Sequence, residues 1–161
     1  MYKRQRLGLE LSWQQTIWKQ LNIQSSFSYI DAEFDSYTAE IANPDDSKKP
    51  YAKAINKGNK IPGVAKNQAF TRIAWQPEQG FQAGLEARYM DKMYVDDINS
   101  DTAPSYTIMA ANVGYVWVNG DWKINSYARV DNLFDRNYVG SVIVNDSNSR
   151  FFEPADGRNF S

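Results

Sequence analysis

Apolar and polar residues alternate with a period of two along most of the chain, which indicates β-strands. The clearest stretch surrounds Asn119-Gly120, a dipeptide that favours a two-residue hairpin turn because both positions tolerate positive φ. With the turn placed there, Trp117 is predicted to pair with Trp122. One face of this hairpin is then mostly apolar and the other mostly polar. A slip of one residue would mix the two faces, so the pattern specifies which side chains share a face.

Two more hairpins repeat this alternation. One turns at residues 76–80 and places Trp75 opposite Phe81, and the other turns at about residues 14–20. The predicted fold is all-β, an antiparallel meander of about six to seven long strands. The apolar face of these hairpins includes Leu7, Leu9, Leu11, Trp13, Phe27, Tyr29, Ile73, Trp75, Leu85, Val113, Tyr115, Trp117, Trp122 and Ile124.

Strand and loop lengths favour a transmembrane β-barrel. The strands run for roughly ten residues, enough to cross a bilayer at a tilt, whereas strands of soluble proteins average about 5–6 residues. Connections within the hairpins are short, and those between hairpins are long (residues 31–66, 91–105 and 132–156). Short turns at one end and long loops at the other are typical of outer-membrane barrels.

All five tryptophans lie beside the three short turns. An indole ring favours a boundary between an apolar and an aqueous region, so we predict a membrane-interface girdle at this end of the barrel. Its members are Trp13, Trp18, Trp75, Trp117 and Trp122. The alternative is a soluble up-and-down barrel of the lipocalin type, which would point the same apolar faces inward around a small apolar ligand.

Composition excludes several classes of function. The 161 residues carry a formal net charge of -1, which gives no basic face for nucleic acid. Cysteine and histidine are both absent, so we predict no enzyme, no cofactor and no metal site. Residues 97–101 have the D-x-N-x-D spacing of a calcium loop, but Thr102 and Ile108 replace its glycine and glutamate, which favours a solvated loop. Met1 is followed by polar residues rather than by a signal peptide, so we expect a mature form or a fragment.

Three motifs resemble those of TonB-dependent outer-membrane receptors, of the siderophore receptor type. Residues 132–138, Asn-Leu-Phe-Asp-Arg-Asn-Tyr, are similar to the family's NLFD–x–x–Y signature. Residues 150–159 resemble the Y/F–x–P–x–x–GR stretch that opens the final strand, and residues 58–66 resemble the iPgvPk junction between a loop and a strand. The three occur in the family's order and are separated by hairpins of suitable length.

The resemblance implies a function and a set of partners. Members hold an N-terminal plug inside a 22-stranded barrel, bind a ferric siderophore or similar metal chelate outside the cell, and import it when TonB acts on the plug. Residues 1–161 would form a C-terminal barrel segment, with the plug domain absent. The implied location is the bacterial cell outer membrane, and the implied partners are its lipid, the ferric chelate and, through the missing plug, TonB.

Two sets of residues are candidates for function. Loops on rigid scaffolds carry binding, so aromatic, charged and amide residues of the long loops are candidates for substrate contact. These are Tyr94, Asp96, Asp97, Tyr138, Asn145, Arg150 and Phe151. Charged residues of the polar face would form a network inside the barrel, where some could contact a plug: Glu10, Arg72, Glu86, Arg88, Lys123, Arg129 and Asp131. Asn132 and Asp135 are expected to end a strand and shape the loop that follows, through side-chain-to-backbone bonds.

Overall fold

The structure is a computed structural model that describes residues 3–41 and 51–161. Its regular elements are strands. These are β1 (Lys3–Ile17), β2 (Leu21–Ile41), β3 (Tyr51–Ile55), β4 (Asn67–Trp75), β5 (Gly80–Met90), β6 (Met93–Tyr94), β7 (Thr102–Ala103), β8 (Tyr106–Asn119), β9 (Trp122–Asp131), β10 (Val139–Val142), β11 (Phe152–Pro154) and β12 (Asn159–Phe160). In the described ranges no helix is long and apolar enough to cross a membrane.

The long strands form one antiparallel sheet in the order β1-β2-β4-β5-β8-β9-β12, with β3 paired to the far end of β2. Six of these strands run for 9 to 21 residues. The two residues of β12 pair with the end of β9 and begin a seventh strand. The predicted all-β meander is therefore confirmed. Two small hairpins, β6–β7 and β10–β11, lie in the long connections.

The third hairpin has the predicted faces but a different pairing. Trp117 lies opposite Ile124 and Trp122 lies opposite Asn119, so the predicted Trp117–Trp122 pair is wrong by two residues. The loop is Gly120-Asp121, and of the two only Gly120 has a positive φ, 57°. Glycine at the first loop position is the requirement of a type II′ turn, so Asn119 remains in the strand. A two-residue shift preserves the faces, and the two indoles share one face as diagonal neighbours.

The other two hairpins show similar changes. Trp75 lies opposite Ala83 rather than Phe81, again a shift of two residues. The first turn is shorter than predicted, because Ile17 pairs with Leu21 and leaves residues 18–20 as the loop. Trp18 opens that loop with φ 54°.

The apolar face is exposed over the whole sheet. Leu9 is 52% exposed, Val113 61% and Ile124 53%, and the tryptophans of the predicted girdle are between 40% and 76% exposed. A soluble barrel of this sequence would bury these side chains around its interior. Their exposure argues against the lipocalin-like alternative.

One cluster of buried residues lies beyond one end of this face. Ala32, Phe34, Ile55 and Ile61 form a small core between the far half of β2 and the connection that returns to β4. Backbone hydrogen bonds tie that connection to β2, including Ile61 N to Ala32 O at 3.0 Å. The predicted loop over residues 31–66 is thus partly wrong, since β2 continues to Ile41 and pairs with β3. Residues 42–50 of that loop lie outside the described residues.

The side-chain pattern of β2 inverts at Asp31. Phe27 and Tyr29 continue the apolar face, but the next residues on that side are Asp31, Glu33 and Asp35. Lysines of the returning connection pair with all three, with Lys60 Nζ 2.8 Å from Asp31, Lys57 Nζ 2.9 Å from Asp35, and Lys60 also bonded to Glu33. The opposite side of β2 becomes the core side, where Ala32 and Phe34 are buried. Because the apolar side changes at Asp31, the apolar pattern predicts an end of β2 near residue 30, whereas the strand continues to Ile41.

Candidate functional site

The polar face of the sheet carries an ion-pair network across four strands. Glu86 on β5 lies at its centre, with its side chain only 20% exposed. Arg129 of β9 donates from Nη1 and Nη2 to the two carboxylate oxygens of Glu86, at 3.2 and 3.0 Å. Arg72 of β4 approaches the same carboxylate from the other side, with its Nε 3.4 Å from Oε1. Glu86 thereby links β4 to β9.

Small residues on the intervening strand permit this reach. Glu86 lies opposite Ala110 on β8, which therefore stands between the two partners in the sheet order. A longer side chain at that position would occupy the path of the Arg129 guanidinium. Beside it, Asn112 lies so close over Gly84 that a Cβ there would be 2.2 Å from the Asn112 amide oxygen. Arg129 itself lies opposite Asn112, so its side chain reaches Glu86 diagonally across β8, past Ala110.

Arg129 also bonds Asp131 on its own strand, with Nε 2.9 Å from Oδ1. The network thus balances two arginines with two carboxylates. Glu10 and Lys123 lie on the same face of β1 and β9, where they are exposed. Arg88 lines the cavity beside the network and makes no ion pair with the residues that the structure describes. The predicted charged network is present for Arg72, Glu86, Arg129 and Asp131 and does not extend to the other three.

The segment after β9 is built around Asn132. Its side chain donates to Arg136 O at 2.8 Å and accepts from Arg136 N at 2.9 Å, which closes a tight turn. The residue is 5% exposed and has φ 49°. Asp135 then accepts a hydrogen bond from Arg158 N at 2.8 Å and so connects the turn to the start of β12. The predicted structural role of Asn132 and Asp135 is confirmed. Arg158 donates its side chain to Leu133 O at 3.5 Å.

Asn99 joins two of the long connections. Its amide accepts from Lys60 N at 2.7 Å and donates to Lys60 O at 2.8 Å, as a peptide group in a β-ladder would. Asn59 adds a bond to Asp97 O at 3.0 Å. The positive φ of Asn99, 56°, suits the turn that presents the amide. Hydrogen bonds from Asp31 and then Glu33 raise the pKa of the Lys60 ammonium, which therefore remains charged at neutral pH.

The third long connection joins the same group through Asn145. Its side-chain oxygen accepts from Asp97 N, and its own N donates to Val95 O, both at 3.0 Å. The three connections therefore form one hydrogen-bonded assembly around Asn99 and Asn145. Within the described ranges, there is no group of three or more histidine, cysteine, aspartate or glutamate residues that could hold a metal ion.

The seven predicted substrate contacts fall into three places. Tyr94, Asp96, Asp97 and Asn145 belong to the loop assembly, where Asp96 accepts from Ser100 N and Tyr94 O accepts from Gly63 N. Arg150 and Phe151 lie in the connection between β10 and β11, which approaches the assembly through Asn145. Tyr138 is separate and contacts the ring of Tyr106, with ring centroids 4.5 Å apart. Contact of these residues with substrate stays a prediction.

Sequence reasoning missed Asn99, Lys60, Tyr106 and Arg136. The partners of Asn99 and Tyr106 are 39 and 32 positions away, too distant for any local pattern to reveal. The one available signal was Asn99-Ser100-Asp101, which reads as a turn. The side-chain amide of an asparagine in a turn can also form hydrogen bonds with the backbone of a second loop.

Comparisons with known proteins agree with this geometry. A family model described as TonB dependent receptor-like, beta-barrel matches residues 3–133. The chain is 28% identical over 152 residues to the probable TonB-dependent siderophore receptor PiuA of Acinetobacter baumannii, covering 94% of this chain and 19% of that protein. It is 30% identical over 139 residues to the ferrichrome outer membrane transporter/phage receptor of Escherichia coli, covering 83% of this chain and 16% of that protein.

A solved structure shows the same fold. The crystal structure of the siderophore receptor PiuA from Acinetobacter baumannii superposes with a TM-score of 0.80 at 24% identity, over 99% of this chain and 21% of that one. The chain spans about a fifth of the length of the proteins that it matches.

Proposed function

The chain belongs to the TonB-dependent receptor family, in the β-barrel part, and we propose that it forms one wall of an outer-membrane importer of ferric siderophores or similar metal chelates. On this proposal residues 1–161 are the C-terminal barrel segment. The complete receptor consists of this segment, a plug and further strands. The family is one of receptors rather than of enzymes.

The exposed apolar face carries this proposal. It runs across all six long strands, has the tryptophans at the hairpin end, and gives way to charged residues at Asp31. A band of this kind matches the apolar belt with aromatic borders that a bilayer requires. The free edges at β1 and β12 would be paired by the remaining strands, because lipid does not tolerate an open ladder.

The substrate class rests on the relatives. One is named a probable siderophore receptor and another a ferrichrome transporter. The loop assembly and the charged polar face supply an extracellular entrance and a polar interior for such a chelate. TonB would act through the plug, with outer-membrane lipid around the barrel.

Transport of radiolabelled iron tests the proposal. Cells that lack the complete receptor should fail to take up at least one ⁵⁵Fe chelate from a panel of catecholate, hydroxamate and citrate complexes, and expression of the receptor should restore uptake. Removal of TonB should abolish the restored uptake. Restoration that persists without TonB, or equal uptake of every chelate with and without the receptor, would refute the proposed function.

A further inference from the structure

An aromatic cleft lies between the start of β8 and the segment that follows β9. Tyr106, Tyr138 and Phe152 line it together with Pro104 and Pro154, and it has a volume of about 390 Å³. Small-molecule sites have volumes of about 300–1,000 Å³ and are mostly apolar with a few polar groups. Tyr106 and Tyr138 are in contact at 4.5 Å with their planes tilted by 43°, so the two rings hold one another in place.

One cation borders this cleft. The backbone of Arg136 is fixed on both sides by Asn132, through the bonds to Arg136 N and Arg136 O. Its exposed side chain lines the cleft and makes no ion pair with the described residues. A guanidinium on a fixed backbone next to aromatic rings suits a flat ligand that carries anionic oxygens.

The cleft adjoins the cavity of the polar face. Tyr138 and Pro154 line both spaces, and the second one, of about 410 Å³, also contains Arg88, Glu86 and Arg129. A ligand group seated on the rings would therefore be next to the barrel interior. Such a position suits a first contact on an inward route.

We propose that this cleft binds an aromatic ring bearing anionic oxygens, such as a catecholate arm of a ferric chelate. The inference rests on the proposed function and names the substrate class that this wall of the receptor selects. A ring of this kind stacks on Tyr138 and Phe152 and places its oxygens at Arg136. A hydroxamate arm is aliphatic and has no ring to stack, so it gains little from the same residues.

Two substitutions in the complete receptor test the cleft. Tyr138→Leu keeps apolar volume and removes the ring, and Arg136→Gln removes the charge. Each should weaken binding of a ferric tris-catecholate, measured by fluorescence quenching, by roughly tenfold, the equivalent of about 1.4 kcal/mol. Binding of ferrioxamine B, a trihydroxamate, should change less than about twofold, because the missing groups contribute little to it. The controls are Tyr127→Leu and Arg6→Gln, exposed residues elsewhere on the polar face, which should leave both affinities unchanged.

The outcomes separate this inference from the proposed function. Equal loss of both chelates in the cleft variants, or unchanged catecholate binding, would overturn the inference. A receptor that binds and transports only hydroxamate iron would also overturn it, while the proposed function would stand. A receptor that restores no TonB-dependent iron uptake would fail the proposed function and the inference together.

Discussion

Arg129 and Glu86 form a two-pronged ion pair although a whole strand separates them in the sheet. The pair is possible because Ala110, on that strand, ends at its Cβ. The stability of the wall therefore depends on the size of a residue that takes no part in the bonding.

Ala110→Leu should break this pair on a half-buried surface, leaving Glu86 paired with Arg72 only and Arg129 paired with Asp131 only. We expect the complete receptor to lose about 1–3 kcal/mol of unfolding free energy, below the cost of breaking a fully buried pair because solvent reaches Arg129. Urea unfolding in detergent, followed by the gel mobility of unboiled samples, measures this loss. Ala83→Leu is the control, since it adds the same volume on the exposed apolar face. An equal effect of both substitutions would mean that volume alone matters.

Gly114→Ala should destabilise the β8–β9 hairpin. A Cβ at this position would lie 2.8 Å from the backbone oxygen of Ser126, so the strands would have to move apart. We expect a cost of about 1–3 kcal/mol, in the range of overpacked sites. Gly8→Ala is a matched control with its nearest atom at 3.5 Å, an ordinary contact. The same unfolding assay compares them, and a neutral Gly114→Ala would contradict the close approach.

Asn132→Ala should be among the most damaging single changes in this wall. It leaves the Arg136 backbone groups without partners and forces alanine into a left-handed conformation, for an expected total of about 2–4 kcal/mol. Asn132→Gly keeps the conformation and loses only the bonds, so it should cost less. Thermal loss of gel mobility ranks the two variants. If glycine were fully neutral, the amide bonds would contribute nothing.

Asn99→Gly should weaken the coupling between the first two long connections without straining the backbone. Each of the two bonds to Lys60 contributes about 1 kcal/mol, of which solvent replaces a part when the bond is lost. Amide exchange in residues 59–61 and 96–100 should therefore accelerate by roughly tenfold. Hydrogen–deuterium exchange with mass spectrometry measures this change. Asn148→Gly removes an exposed amide outside the assembly and should not alter exchange there. Unchanged exchange in both variants would show that the assembly does not depend on Asn99.

Successive residues of β5 should face the lipid and the aqueous interior alternately. This chain has no cysteine, so single cysteines placed at residues 82, 83, 85 and 86 can carry spin labels in the complete receptor without background from this wall. We expect labels at 83 and 85 to be reached by oxygen from the bilayer and labels at 82 and 86 by a water-soluble nickel complex. Electron paramagnetic resonance relaxation gives both accessibilities. The reverse pattern would mean that the polar face contacts lipid, which would contradict the proposed orientation of the sheet.

The sequence predicts the faces of this sheet well because many residues share the period of two. Pairing is harder: the shift that separates the Trp117–Trp122 pair from the observed Trp117–Ile124 pair is two residues, and a face pattern does not detect an even shift. Asn132 was predictable because its partner is four residues away. Asn99 was not, since its partner is brought near only by the folding of the loops. For Arg129 the face pattern predicted membership of the charged network but not the pairing with Glu86 across β8.

The inverted pattern of β2 also fixes how deeply this wall can sit in a bilayer. Sliding the strand inward by two residues, about 7 Å along its length, would carry Asp31 and its lysines into hydrocarbon. Sliding it outward would expose Phe27 and Tyr29 to water. The same strand that carries Ala32 and Phe34 of the small core thus limits vertical movement in both directions, so the height of the loops relative to the bilayer is set by the sequence of β2.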